Sequence, residues 1–189
     1  MIGRIRGVLV SRRGETAMVD VAGVGYEVTM TPKALITLPG VGEEVVIHTH
    51  HHVREDESAL FGFDTERDRD LFRILLTASG VGPKVGMALL ATLDHDEIVR
   101  AVVAEDPDVL TAAPGVGKRG AQKIVLELAP KLAGREADLS NSTNTLTVRQ
   151  ALEGLGYSTE EINSVIGEVD PEQTIELQIR AALQALGRR

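Results

Sequence analysis

The feature of this sequence that most constrains the fold is a short glycine-rich phrase that occurs twice. The first copy is Ser-Gly-Val-Gly-Pro-Lys at 79–84, and the second is Pro-Gly-Val-Gly-Lys-Arg at 114–119. The copies are 35 residues apart, and each lies between an apolar segment and a segment with apolar residues at helical spacing. A repeat of this length is typical of one supersecondary unit used twice. The sequence therefore predicts two helix–turn–helix units in tandem.

Turns of this kind are suited to holding an anion. Glycine permits positive φ and lets the backbone approach another surface closely, because it has no Cβ. The amides that open the following helix have no intrahelical partner and lie at the positive end of the helix dipole. Basic residues follow each turn and would add charge-assisted contacts to phosphate. The predicted contacts with phosphate are Gly80, Gly82, Lys84, Gly115, Gly117, Lys118, Arg119 and Lys123.

The alternative interpretation of each turn is a tight corner between two packed helices. Two copies, both followed by basic residues, favour phosphate binding over this alternative. A mononucleotide site of the P-loop type is excluded, since neither copy has the Gly-x-x-x-x-Gly-Lys-Ser/Thr layout.

The composition limits where DNA could bind. The 189-residue chain has a formal net charge of −8 at pH 7, which argues against a generally basic surface, so a DNA contact should be a confined patch. There is no cysteine, which excludes disulfides, thiolate metal sites and a cysteine nucleophile. Without a long apolar run or a signal-peptide layout, we expect a cytoplasmic protein with no membrane partner. No cofactor is predicted.

Residues 1–63 are predicted to form a small β-barrel. Apolar, often β-branched residues alternate with polar ones in short segments that turn residues separate. A single helical turn is predicted at 32–37, and the last two strands are predicted at 45–53 and 59–63. Five short strands in one such segment favour a closed barrel of the OB type, which has no free edges.

The rest of the chain is predicted to be helical. Residues 64–133 contain the two glycine turns, and the polar residues 134–144, which lack an apolar period, are interpreted as a flexible linker. Residues 145–189 are predicted to form a compact three-helix unit, with a capping box at 158–161 and a third helix that opens at Asp170-Pro171. Its predicted core is Val148, Ala151, Leu152, Leu155, Ile162, Ile166, Ile179, Leu183 and Leu186.

These features together resemble a known family. The two glycine turns are similar to tandem helix-hairpin-helix motifs, and the order of barrel, motifs, linker and C-terminal helices resembles the RuvA family over essentially the whole chain. Further matches are Met1-Ile2-Gly3-Arg4-Ile5-Arg6-Gly7, Val53-Arg54-Glu55-Asp56, Leu60-Phe61-Gly62-Phe63 and Leu155-Gly156-Tyr157. The resemblance implies a multi-domain α and β protein: an OB-type barrel, a helix-hairpin-helix domain, and a UBA-like three-helix domain on a linker.

The resemblance also implies a role in DNA recombination, DNA repair and the SOS response. A symmetric homotetramer, or a double tetramer, would cradle a four-way (Holliday) DNA junction without catalysing a reaction itself. The barrel would supply the tetramer contacts and an acidic pin, Glu55 and Asp56, whose charges repel DNA backbones at the centre of the junction. The alternative for this acidic turn is a solvated hairpin tip.

The third domain, by the same resemblance, would bind a hexameric AAA+ ATPase of the RuvB type that drives branch migration. Leu177 falls off the predicted core face and is a candidate contact with this motor. A junction resolvase is a further expected partner.

Other interpretations remain open. His48, His50 and His52 alternate along one predicted strand and share a face, which is either a metal site or a partly exposed strand face. The chain could instead be a helix-hairpin-helix DNA glycosylase or lyase, which needs a lysine nucleophile just past the hairpin and an aspartate further along. Arg119 stays protonated and cannot form a Schiff base, and Asp138 falls in the linker. A nonspecific duplex-binding repair module is the third alternative.

Overall fold

The computed structural model describes residues 1–55, 58–132, 148–149, 151–166, 169 and 173–187. The chain divides into two compact units, Met1–Ala133 and Gly134–Arg189. The first unit contains both the barrel and the glycine turns. The proposed linker, 134–144, lies outside the described residues.

A closed five-stranded barrel forms the first part of the chain, as predicted. Its spatial order is β1-β2-β3-β5-β4, and pairing of β1 with β4 closes it. All the pairs are antiparallel except β3 with β5, which is parallel. The strands are β1 (Arg4–Arg13), β2 (Thr16–Val21), β3 (Val24–Met30), β4 (Glu44–Val53) and β5 (Ser58–Phe63). The predicted helical turn is α1 (Pro32–Thr37), which the side chain of Thr31 caps.

Two glycines let the barrel close tightly around its core. A Cβ at Gly7 would lie 2.1 Å from the carbonyl oxygen of Asp20, and a Cβ at Gly62 would lie 2.5 Å from Val28 Cγ1. Both positions therefore exclude any larger residue. The interior is filled by alternating apolar residues of the strands, namely Ile5, Leu9, Ala17, Val19, Val28, Met30, Val45 and Ile47.

Five helices complete the first unit. They are α2 (Glu66–Leu75), α3 (Pro83–Thr92), α4 (His95–Val103), α5 (Pro107–Leu110) and α6 (Lys118–Leu132). Asp94 forms a capping box with Glu97 at the start of α4, and Thr65 caps α2 by accepting a hydrogen bond from the amide of Asp68. Within the described ranges, no helix has both the length and the apolar character that a membrane crossing needs.

Helix α2 joins the barrel to the other helices. Its residue Arg69 is only 9% exposed and donates hydrogen bonds to Glu66, to Asp70 and to the carbonyl oxygen of Gly3 at the start of the barrel. A buried guanidinium is tolerated because carboxylates and a carbonyl satisfy its donors. Burial is the largest single influence and would lower the pKa of Arg69, but its hydrogen bonds and ion pairs with Asp70 and Glu66 together outweigh burial and raise the pKa.

Phe72 is the apolar centre of the same junction. Its ring centroid lies 5.5 Å from that of Phe61, 5.0 Å from that of Phe63 and 5.4 Å from that of His50. On α3, a Cβ at Gly86 would lie 2.9 Å from Phe72 Cε2, so the two helices pack without an intervening side chain. Phe72 is fully buried and thus fixes α2 and α3 against the barrel.

The second unit has a small core of its own. Its described helices are α7 (residues 148–149 and 151–154), α8 (Thr159–Ile166) and α9 (Ile175–Leu186). The predicted capping box at 158–161 is present, since the backbone N–H of Ser158 donates to the carboxylate of Glu161 at 2.8 Å. The buried core residues are Val148, Leu152, Ile162, Val165 and Ala182, with Ile166, Ile179, Leu183 and Leu186 partly buried against them.

Two predictions for this unit need correction. Leu155 was expected in the core, but it is 61% exposed. It follows the last helical residue of α7, where Gly156 adopts φ +92° and turns the chain, so the helical period no longer applies to it. The described part of the last helix begins at Ile175, after Thr174, whereas Asp170-Pro171 was expected to open it; residues 170–172 lie outside the described residues.

Replacement of Phe72 by alanine should lower the free energy of unfolding of the first unit by about 3–5 kcal/mol, because it empties a fully buried aromatic site. Chemical denaturation measures this. Ile36→Ala is the control, since Ile36 is 80% exposed and its loss should cost at most about 0.5 kcal/mol. Equal effects of the two substitutions would contradict the central role of Phe72.

Candidate nucleic-acid interface

The two glycine turns have the same backbone geometry. Gly80 and Gly115 both have φ +85°, a conformation that side chains other than glycine rarely adopt. In each turn the valine amide donates to the alanine carbonyl three residues earlier at 3.1 Å, as in Val81 to Ala78 and Val116 to Ala113. These alanines and valines are buried, which anchors the inner side of each turn and leaves the glycines on the outer side. The sequence repeat is therefore a repeat in structure.

Neither the backbone conformation nor the packing of the chain requires a glycine at the second glycine position of each turn. Gly82 has φ −92°, and Gly117 is not among the residues with positive φ. A Cβ at either position would meet nothing within 4 Å. Gly82 also precedes α3 with no side-chain cap on the helix amides. Both glycines thus leave an uncovered backbone facing outward, which is the surface that a phosphate needs for close approach.

Unpaired cations lie beside these turns. Lys84, Lys118 and Arg119 are exposed and form no ion pair with any described residue. Lys123 follows one turn later on α6, with its Nζ 3.9 Å from a carboxylate oxygen of Glu127. All four predicted basic residues are therefore available at the surface of the first unit, on a chain that is otherwise acidic.

The two hairpins are also tied together. The carboxylate of Glu127 on α6, the helix of the second hairpin, accepts a 2.7 Å hydrogen bond from the backbone N–H of Ser79 in the first turn. Lys131 Nζ donates to the hydroxyl of Thr77 at 2.7 Å. Nothing in the sequence indicates these contacts, because the partners are 48 and 54 residues apart.

The Ser79 bond changes the acidity of Glu127. Hydrogen bonds from Ser79 are the main cause that lowers the pKa of Glu127, and the nearby charges of Lys123 and Lys131 add to the effect. Because the pKa is lower in the folded chain, this contact stabilises the fold at neutral pH. That stabilisation is lost as the pH falls below the ordinary carboxyl value of 4.5 and through the lower folded pKa.

The predicted acidic turn lies between β4 and β5. The last paired residues of these strands are Val53 and Ser58, and Glu55 is an exposed residue in the connection between them. Asp56, the second predicted pin residue, lies outside the described residues.

The three alternating histidines lie on one face of β4, and part of this face is packed rather than open. The rings of His50 and His52 are 6.0 Å apart, and His50 meets Phe72 edge-on. Burial is the main cause that lowers the pKa of His50, and the positive charge of Arg73 adds to it. The ring is therefore neutral at pH 7. Among the described residues no three His, Asp or Glu side chains are placed to hold a metal ion, and His48 contributes to no such group.

The second unit presents exposed leucines. Leu177 on α9 is 46% exposed, as predicted, and Leu155 is exposed as well. Leu177 lies within α9, whereas Leu155 directly follows α7. The sequence pattern predicts Leu155 in the core and, of these two leucines, only Leu177 as a surface contact.

A closed OB-type barrel joined to two equivalent, outward-facing glycine hairpins defines a tandem helix-hairpin-helix protein. Family models match in the same order: "RuvA N terminal domain" over residues 1–62, "SAM-like Helix-hairpin-helix tandem" over 72–130 and "RuvA, C-terminal domain" over 148–187. The chain belongs to the RuvA family.

Full-length relatives agree with this assignment. The chain is 40% identical over 201 residues to a protein of Laribacter hongkongensis, with 100% of both chains covered. It is 42% identical to a protein of Halorhodospira halophila, with 97% of each covered, and 38% identical to one of Vibrio vulnificus, with 98% and 100% covered. Each of these proteins is named "Holliday junction branch migration complex subunit RuvA".

The amide proton of Ser79 should report the ionisation of Glu127. Its NMR chemical shift is expected to change with pH around a midpoint below 4.5, because the carboxylate that accepts its hydrogen bond is lost on protonation. Glu127→Gln should abolish this titration. Glu161→Gln is the matched control, since it removes an equivalent contact with Ser158 in the other unit and should leave the Ser79 titration unchanged. A Ser79 midpoint at or above 4.5 would contradict the assigned contact.

Proposed function

We propose that this chain binds four-way DNA junctions as a symmetric homotetramer and brings an ATP-driven ring motor to them for branch migration. The names of its relatives, each a Holliday junction branch migration complex subunit, support this function. The chain itself is non-catalytic in this proposal, and hydrolysis belongs to a hexameric ATPase of the RuvB type. The cytoplasm is the expected location.

The observation that carries the proposal is the open backbone at Gly82 and Gly117. Neither glycine is needed for the turn or for packing inside the chain, and unpaired cations stand next to both. A phosphodiester backbone is an extended anion that fits such a surface. Contacts of this kind position a DNA backbone but read no base. They allow the DNA to slide, which branch migration requires.

The hairpins alone do not explain a preference for junctions, because any duplex offers phosphates. We assign that preference to four-fold symmetry and to the acidic turn at Glu55 and Asp56. In a tetramer, four copies of this turn would meet near the symmetry axis and repel continuous duplex there. Separated strands at a branch point would avoid the repulsion. The barrel is the part assigned to subunit contacts.

The second unit is assigned to the motor. It has its own core, and its exposed leucines, Leu177 and Leu155, are the candidate contacts with the ring ATPase. Residues 134–144 would act as a flexible tether between this unit and the DNA-bound part. A junction resolvase is a further proposed partner.

The direct test compares binding of a four-way junction and of linear duplex of equal length in a gel-shift experiment, alongside native mass spectrometry. We expect a tetramer, or two tetramers, with a clear preference for the junction. A monomer without this preference would refute the proposal.

Gly82→Ala and Gly117→Ala should each weaken DNA binding by about tenfold or more, because the added methyl group holds phosphate away from the amides and costs a charge-assisted hydrogen bond. Thermal stability should be unchanged, since the new Cβ meets nothing within 4 Å. Gly154→Ala is the matched control: it also adds a Cβ in open space, but in the other unit. Unchanged DNA affinity in both hairpin variants would rule out backbone contact at these turns.

Neutralising the acidic turn with Glu55→Gln and Asp56→Asn should raise affinity for linear duplex relative to the junction. The physical reason is loss of repulsion between carboxylates and phosphates at the tetramer centre. The control is Glu27→Gln with Asp108→Asn, which makes the same charge change at exposed positions away from the acidic turn. If the two double variants change the duplex-to-junction ratio equally, general charge explains the result and the acidic turn has no special role.

A further inference from the structure

A cavity of about 620 Å³ lies between the barrel and α3, and neither the hairpin contacts nor the acidic turn account for it. On the barrel side it is lined by Met30, His52 and Phe61, and on the helix side by Met87 and Ala91. Its volume is within the range of sites that hold small organic groups.

The rim of this cavity touches all three parts of the proposed DNA interface. Lys84 belongs to the first hairpin, Pro114 opens the second, and Arg54 directly precedes Glu55 of the acidic turn. A DNA strand held by the hairpins would therefore pass the mouth of the cavity at the point where the acidic turn separates it from its complementary strand. Because Lys84 of the first hairpin and Pro114 of the second line the same cavity, the two turns lie close together.

The lining combines an apolar interior with a charged mouth, where two cations, Arg54 and Lys84, outnumber one exposed carboxylate, Glu15. Met30 and Phe61 are buried, and Met87 and Ala91 continue the apolar wall on α3. Arg54 and Lys84, in contrast, are exposed and have no ion-pair partner among the described residues. This arrangement is complementary to a nucleotide, which joins a flat, largely apolar base to an anionic phosphate.

The type of apolar side chain also indicates how selective the cavity is. Two methionines line it, and methionine is flexible and polarizable, so it adapts to differently shaped groups. The ring of Phe61 already meets His52 edge-on at 6.4 Å and the tilted ring of Phe72 at 5.5 Å, so it forms a wall rather than an open stacking platform. A cavity of this kind would accept any of the four bases, which a migrating branch point demands.

We propose that this cavity receives an unpaired base of the strand that is opened at the centre of the junction. This inference rests on the proposed function and adds to it a binding site for single bases. A base that loses its pairing partner at the acidic turn would enter the cavity and leave the solvent, while Arg54 and Lys84 bind the adjacent phosphates. Duplex DNA cannot enter, so the site distinguishes an open branch point from a continuous helix.

The test uses the full chain and a four-way junction that carries the fluorescent base 2-aminopurine at the branch point. Binding of the unmodified protein should reduce quenching of this base by dissolved acrylamide at least threefold, because the base leaves solvent. Ala91→Trp fills the cavity and should restore most of the quenching while affinity for linear duplex stays within twofold. If Ala91→Trp does not fold, Ala88→Leu, which fills less of the cavity, is used in its place.

Leu126→Trp is the matched control variant. Leu126 lies 35 residues after Ala91, at the equivalent position of the second repeat, and its side chain is 77% exposed. It should protect the branch-point base as the unmodified protein does. A junction with 2-aminopurine far out in one arm controls for general effects of binding and should show no difference between variants.

The outcomes separate this inference from the proposed function. Junction preference with no protection of the branch-point base, or with equal protection in Ala91→Trp, overturns the cavity assignment and leaves the proposed function standing. Absence of junction preference overturns both. If Ala91→Trp keeps full protection but no longer binds the ring ATPase, the cavity is a protein-docking site and the base assignment is wrong.

Discussion

The position of the hairpins relative to the barrel depends on one buried aromatic contact. All three phenylalanines of the chain meet there, since Phe72 of α2 packs against Phe61 and Phe63 of β5. On its other side Phe72 leaves no room for a side chain at Gly86 of α3. Because strand, α2 and α3 share the same ring, α3 cannot shift on the barrel without opening this contact. The first hairpin, which leads into α3, is therefore held in a fixed relation to the barrel and its acidic turn.

Opposite charges lie in two separate parts of the first unit, the hairpins and the acidic turn, and we propose a different role for each part. Three cations without ion-pair partners among the described residues, Lys84, Lys118 and Arg119, stand beside the hairpins where the backbone is open, on a chain whose net charge is −8. Attraction at these patches would hold any DNA backbone, and the acidic turn would exclude a continuous duplex from the centre. In the proposed function, affinity and shape selectivity would thus come from opposite charges at separate places. Glu127 links the two hairpins because it binds Ser79 of one turn from the helix of the other.

Several elements could be predicted closely because a local rule specifies them. The barrel strands follow from alternating apolar residues, since alternation reflects which face of a strand is buried. The turns follow from glycine, because φ +85° at Gly80 and Gly115 excludes most other residues. Errors arose where the local period ends: Leu155 continues an apolar pattern but lies past the last helical residue of α7, directly before Gly156 turns the chain, and the described part of the last helix begins only at Ile175.

The sequence by itself determined the barrel, the two hairpins and the cations beside them, because each depends on residues close together in the chain. Only the tertiary structure decided that Glu127 anchors Ser79, that half-buried His50 packs on Phe72, and that one cavity between the barrel and α3 is lined by residues of both hairpins and by Arg54 next to the acidic turn. These features join residues that are far apart in sequence. Their contacts depend on how the helices dock onto the barrel, and docking is set by the packing of many side chains at once.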